Sequence, residues 1–378
     1  MRRKALGIIS IAIGVALAAL AAALILWDGG SPSGSPNREA ESRQAEPWEV
    51  GLGGNVVYPA ELSNLPGPAR GLAFDEAGVL WFVAMASEKP TLYGYDPATS
   101  TLETFALPGP PQAFFFVATF ELGKGPRAGT MLLGWQSELW EVDTSTGRPT
   151  QVPFKADPVR RIMDIAADDD GTLWVSRDNY PYLIALRPDG SQREYSLPEG
   201  SGSPNQLAID SDRHVWATLQ HHRVVQGADS GNLTLRFDPA AERADVLPWQ
   251  SWNIAGRGGP VVAVGGQAAG ASRLDAGEAQ PVPLGAVGMA FPGEAVAVGP
   301  DGATWYRSPP AGGIVRVAAD GSESVFPLPT YTGNLRDTIC NGCPEVETTT
   351  LAQVNGIAVA ADGSAWFATG NRIGHAIP

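Results

Sequence analysis

Apolar and polar positions along this chain recur in a fixed local phrase. A short apolar run leads into an acidic turn, and a second apolar run opens on tryptophan. The copies are LAFDEAGVLW ending at Trp81, IAADDDGTLW at Trp174, LAIDSDRHVW at Trp216, VAVGPDGATW at Trp305 and IAVAADGSAW at Trp366. In each, an alanine lies eight residues before the tryptophan: Ala73, Ala166, Ala208, Ala297 and Ala358. Glycine stands three residues before it in four copies, and Arg213 takes that place in the other. Two β-type runs about an Asp-Gly pair, such as Ile357–Val359 and Ala365–Phe367 about Asp362-Gly363, predict a hairpin, because glycine takes the positive φ of a tight turn. A unit repeated at this period cannot bury its apolar face alone and must stack on its neighbours. The alanine suits crowded innermost strands, and the tryptophan fills the layer between adjacent sheets.

A second phrase closes each unit: FALP at Phe105–Pro108, YSLP at Tyr195–Pro198, VLP at Val246–Pro248 and FPLP at Phe326–Pro329. Fainter copies are QVPF at Gln151–Phe154 and PVPL at Pro281–Leu284. Proline at the end of an outer strand blocks pairing with another molecule. The spacing then counts the units. Trp174 and Trp216 are 42 residues apart, whereas the Trp81–Trp174 and Trp216–Trp305 gaps are 93 and 89. Each long gap holds one degenerate blade, over residues 111–154 and roughly 252–285. The last copy ends one strand short, and Asn55–Leu62 is predicted to supply that strand. The fold class is therefore all-β, a seven-bladed β-propeller closed by its N-terminal segment, over residues 48–378.

Composition adds what lies outside the ring. Residues Ala5–Trp27 form an uncharged apolar run long enough to span a bilayer, preceded by Arg2, Arg3 and Lys4. The basic flank predicts an anchor over residues 1–27 with the propeller on the extracytoplasmic side; a cleaved signal segment and a secreted propeller are the alternative. Residues 28–47 are Gly, Ser, Pro, Glu and Arg with little apolar content, a flexible linker. Net charge is −14, of which Arg2, Arg3 and Lys4 contribute +3, leaving −17 on the remainder. Such a body repels nucleic acid, and a monomer contacting membrane only through residues 5–27 is expected. The two cysteines, Cys340 and Cys343, lie in an insertion at residues 330–353. Outside the membrane they read as a disulfide, with a redox-active pair as the other reading.

The phrase GIAVAADGSAWFATGNRIGHAIP, with FPLP before it, resembles the streptogramin B lyase (virginiamycin B lyase) family of seven-bladed propellers. The resemblance implies a lyase that opens a cyclic depsipeptide with a divalent cation, a histidine and carboxylates near the central axis. The family's blades carry an acidic residue or histidine three positions after the repeat tryptophan. Here those positions hold Ala84, Arg177, Leu219, Ser308 and Thr369. The SPNQLA phrase at Ser203–Ala208 also resembles the SMP-30/gluconolactonase-type propellers, whose Asn and Glu side chains hold a Ca²⁺-like ion.

Counting eleven residues back from each tryptophan marks the start of the innermost strand: Arg70, Met163, Asn205, Glu294 and Asn355. Asn205, Glu294 and Asn355 are the candidate metal ligands, oxygen donors suited to Ca²⁺ or Mg²⁺; their rival role is capping turns. Arg70 opposes a cation and suits an acidic ligand. Loops leaving the second strands offer Arg177 in blade three and His221 and His222 in blade four as candidate catalytic residues. Two function classes follow. The first is a binding propeller that takes a small-molecule or protein ligand at the channel mouth without lyase chemistry. The second is a divergent metal-dependent lyase or lactone/ester hydrolase.

Overall fold

The computed structural model describes residues 55–378 apart from 87–88, 108–116, 156–158, 221–232, 252, 257–260, 265–270, 275–294, 309–310, 329, 335–346 and 352–353. Seven antiparallel sheets are the blades. Blade one comprises Ala69–Phe74, Leu80–Ala86, Lys89–Asp96 and Thr101–Ala106 from the innermost strand outward. Blade two comprises Val117–Leu122, Thr130–Trp135, Glu138–Asp143 and Pro149–Val152; blade three comprises Ile162–Ala167, Leu173–Arg177, Tyr182–Leu186 and Gln192–Ser196. Blade four comprises Ser203–Ile209, Val215–Gln220, Leu233–Asp238 and Arg243–Gln250. Blade five shows Asn253–Ala255, Val261–Val264 and Ala271–Leu274 among the described residues, and Pro281–Leu284 lies outside them. Blade six comprises Val296–Val298, Thr304–Ser308, Gly313–Val317 and Glu323–Pro327. Blade seven comprises Gly356–Val359, Ala365–Thr369 and Arg372–Ala376, with Val56–Val57 outermost. Each innermost strand packs on that of the next blade, and the seventh packs on the first, so the ring is closed.

The patterning explains the layering. In blade three the second strand is buried throughout, whereas the outermost strand alternates between exposed and half-buried positions. Inner strands have a sheet on both faces and read as apolar runs; outer strands meet water on the rim. All five alanine–tryptophan pairs face each other across the first hairpin: Ala73–Trp81, Ala166–Trp174, Ala208–Trp216, Ala297–Trp305 and Ala358–Trp366. The tryptophans cross into the neighbouring blade, as where Trp366 meets Phe74 and Tyr95 of blade one at 6.3 and 5.7 Å between ring centres. The leucine of the closing phrase is also core: Leu107, Leu197 and Leu328 are buried.

The degenerate blades exist, and blade two shows why its phrase is hard to read. Leu132 takes the tryptophan's place opposite Glu121, and a 3-10 turn over Gly125–Arg127 lengthens the hairpin.

Ring closure corrects the expected strand length. Val56 and Val57 pair with Ala376 and His375, and Ile377 N donates to Asn55 O at 2.9 Å. Pro59, which has no N–H to give a ladder, ends the strand, and Ala60–Leu62 turns into a 3-10 helix that buries Leu62 fully. The insertion carries a separate hairpin, Thr330–Asn334 with Glu347–Leu351. Cys340 and Cys343 lie outside the described residues, as do the apolar run and linker of residues 1–47. Among the described residues no helix is long and apolar enough to cross a membrane.

Candidate functional site at the channel mouth

The innermost strands begin, and the second strands end, at one mouth of the central channel. At that level the backbone repeats an irregularity. In blades one to four the pairing of the first two strands shifts register, between Arg70 and Leu72, Val117 and Thr119, Ile162 and Asp164, and Pro204 and Leu207. A bulge bends a strand and re-aims the side chains on either side of it. The positions counted back from the tryptophans fall on these bulges: Arg70, Met163 and Asn205.

The residue after the bulge turns sideways onto the next blade. Asp164 Oδ2 accepts from Leu207 N of blade four at 2.7 Å, and Gln206 Oε1 accepts from Ile254 N of blade five at 3.1 Å. Ser176 Oγ, at the end of blade three's second strand, donates to Asn205 O at 2.6 Å. Another inter-blade tie comes from the second hairpins. Gln136 and Gly370 sit at φ +49° and +57°, and their carbonyls accept from Ile162 N and Ala69 N, the first residues of the following blades. The mouth is thus fixed by side-chain and backbone ties from each blade to the backbone of the next.

Of the predicted residues, Arg70 is exposed on blade one, and its guanidinium makes no hydrogen bond or ion pair among the described residues. Asn205 is half-buried on blade four. Asn355 is half-buried just before blade seven, its N–H bonded to Ala368 O at 2.9 Å. Glu294, His221 and His222 lie outside the described residues, so the structure brings two of the three proposed oxygen donors to the mouth.

Arg177 is 2% exposed; it donates to Arg160 O at 2.6 Å, and its guanidinium lies 5.9 Å from the Phe154 ring and 5.7 Å from the Tyr180 ring. Tyr180 donates to Glu194 at 2.7 Å, which pushes the phenol up from its ordinary value, and Arg161 pairs with Asp178 at 3.0 Å. Around Arg177 the loop is a packed cation–aromatic stack.

The two described histidines are elsewhere. His214 lies in blade four's first hairpin turn, at the opposite end of the strands, with Nδ1 3.0 Å from Asp210. His375 lies in blade seven's third strand, stacked on Trp366.

One residue escaped the sequence count. Asn253 begins blade five's innermost strand, is 1% exposed, and neither of its amide atoms has a partner among the described residues. Blade five has no repeat tryptophan from which to count back.

No family model matches this sequence, and no curated protein matches it. Solved structures do. The chain has the fold of a streptogramin B lyase. Against one such lyase the TM-score is 0.63 at 20% identity, covering 85% of this chain and 97% of the other. Against virginiamycin B lyase from Staphylococcus aureus it is 0.60 at 16% identity, covering 85% and 98%. The extracellular domain of a hybrid two-component system from B. thetaiotaomicron gives 0.56 at 12%, with 85% of this chain and 41% of that one aligned. At these identities the likeness is one of fold, and the expected resemblance holds at that level.

Proposed function

We propose that this chain is a membrane-anchored, extracytoplasmic propeller that binds an acidic small-molecule or protein ligand at the channel mouth and performs no lyase chemistry. One observation supports the reading above others: the exposed guanidinium of Arg70 on the channel-lining bulge, unpaired among the described residues. Among the described residues Asp164, the carboxylate on blade three's bulge, is engaged by the amides of Ile165 and Leu207. Guanidinium is a planar fork of donors matched to carboxylate or phosphate, so the ligand class that suits the mouth is an anion.

Elimination needs a base to take a proton and an electrophile for the charge that develops. A catalytically inactive His-to-Ala variant of the S. aureus lyase has been solved with quinupristin. In this chain His214 and His375 are both held away from the mouth.

Two outcomes test this. Citrate, as a probe polycarboxylate, is expected to raise the melting temperature of the full chain in a saturable way. Arg70→Ala should weaken that binding about tenfold, the loss of one charge-assisted contact. Equal binding by both proteins would remove Arg70 from the site. Quinupristin incubated with the full chain and Mg²⁺ should show no linear product above buffer by mass spectrometry. A linear product that disappears in a His221→Ala, His222→Ala double variant would place a catalytic base on blade four and overturn the reading.

The second reading, a metal-dependent lyase or hydrolase, draws support from the amide oxygens of Asn205, Asn253 and Asn355 on blades four, five and seven. Oxygen donors suit Ca²⁺ or Mg²⁺. Stoichiometric Ca²⁺ or Mg²⁺ in the purified chain, lost on Asn205→Ala, would favour it.

A further inference from the structure

Blades six and seven place an acid, a tryptophan and a basic side chain at matching positions, and only blade six joins the acid to the base. In blade six Trp305 stands opposite Arg316, whose guanidinium lies 5.9 Å from the indole and donates to Asp301 Oδ2 at 2.6 Å. In blade seven Trp366 stands opposite His375, with ring centres 4.2 Å apart and planes 16° from parallel. Asp362 occupies the place of Asp301, four residues before the tryptophan. It accepts from the amide and hydroxyl of Ser364 at 2.9 and 2.6 Å rather than from the third strand. His375 Nε2 is buried and has no hydrogen-bond partner among the described residues. On its other side His375 pairs with Val57, half of the two-residue strand that closes the ring.

We propose that this closure is a proton-gated latch, in which protonation of His375 between Trp366 and Val57 loosens the strand Val56–Val57. An imidazolium has two N–H donors, and here one of them would be buried without an acceptor. Burial pushes the His375 imidazole below its ordinary value, and Asp362 opposes that shift in part. Among the described residues other charged or titratable groups lie nearby. Asp301 of blade six abuts Gly363 in the first hairpin turn, 3.5 Å from where a Cβ would stand, and its charge is met by Arg316. Tyr95 of blade one lies against Trp366, and Tyr58 follows the closing strand. The hydroxyl of Ser364 holds Asp362 below the usual carboxylate range, so Asp362 stays charged as His375 titrates. Because the folded state prefers neutral His375, the latch is fully made above the unfolded imidazole value near pH ~6.5 and weakens as pH falls through it.

Native-state hydrogen exchange of the full chain at about pH 7.5 and about pH 5, corrected for intrinsic rates, tests the latch. Peptides covering residues 55–62 and 372–378 should lose protection at the lower pH, with the strands of blade three unchanged. In His375→Phe, which keeps a ring on Trp366 but carries no proton, that pH dependence should vanish. Should His375→Phe fail to fold, His375→Gln and the imidazole NMR titration of the wild-type chain carry the test. Acid loosening that persists in the variant, no loosening in the wild type, or a His375 midpoint at or above the ordinary value would each overturn the proposal.

Discussion

Trp216→Ala is expected to lower the stability of the propeller by about 3–5 kcal/mol. Trp216 is 1% exposed and packs with Ile254, Val261, Ala263 and Leu274, all on blade five. Truncation therefore opens a cavity between two blades rather than within one. It also removes a hydrogen bond from Trp216 Nε1 to Asp210 Oδ2 at 2.8 Å, whose carboxylate is 2% exposed. Asp210 keeps Asp212 N at 2.9 Å and His214 N at 2.8 Å, so it is weakened rather than orphaned. Trp305 provides the control. It is as deeply buried, but its Nε1 has no partner among the described residues. Trp216→Phe, which keeps a ring and loses the donor, should cost roughly 1 kcal/mol more than Trp305→Phe. Denaturant midpoints of the three variants decide it, and an equal cost for the two Phe variants would mean that the indole–carboxylate bond adds nothing.

Why the sequence could be read this far follows from the kind of signal each feature leaves. The alanine–tryptophan pairs are fixed by a hairpin of constant length, so an eight-residue spacing suffices to find them. Blade two was found by the gap it fills, since Leu132 and a longer turn erase its phrase. The bulges leave no such mark. They fall on Arg70-Gly71, Ala118, Met163-Asp164 and Asn205-Gln206, four unlike places. A register shift is a property of the backbone, and only Gly71 at φ +58° carries a residue type that hints at it. The same limit applies to the mouth. Counting back places Arg70 and Asn205 on the right strands, yet nothing in the sequence says that Asp164 and Gln206 are consumed by the neighbouring blade. Nor does it say that Asn253 is buried with both amide atoms unmet.

Arg213→Gly should destabilise the ring by about 1–2 kcal/mol, although it restores the residue found at that place in the other four hairpins. Gly78, Gly171, Gly302 and Gly363 there have φ of +83°, +82°, +74° and +84°, and Arg213 is held at +67°. Left-handed backbone costs a side chain roughly 1–2 kcal/mol, which the substitution would relieve. Against this stands what the side chain does. Arg213 Nε reaches both oxygens of Asp168 in blade three at 3.0 Å, and Nη2 reaches Oδ2 at 2.7 Å and also pairs with Asp170. Asp168 is 4% exposed while Arg213 is 52% exposed. Removing the partner of a buried charge costs about 3–5 kcal/mol, reduced here because the guanidinium is half in water. A second compensation is built in. Asp168 lies six residues before Trp174, where Asp75 and Asp210 bond the indoles of Trp81 and Trp216 at 2.8 Å. With its carboxylate turned to Arg213, Trp174 Nε1 has no partner. Freed from the arginine, Asp168 can rotate onto that indole, which keeps the net loss at the lower end. The loss should shrink in high salt, as a half-exposed ion pair requires. A more stable Arg213→Gly chain would mean that backbone strain outweighs the clamp between blades three and four. A loss that salt leaves unchanged would mean that the arginine acts by packing its stem rather than by charge.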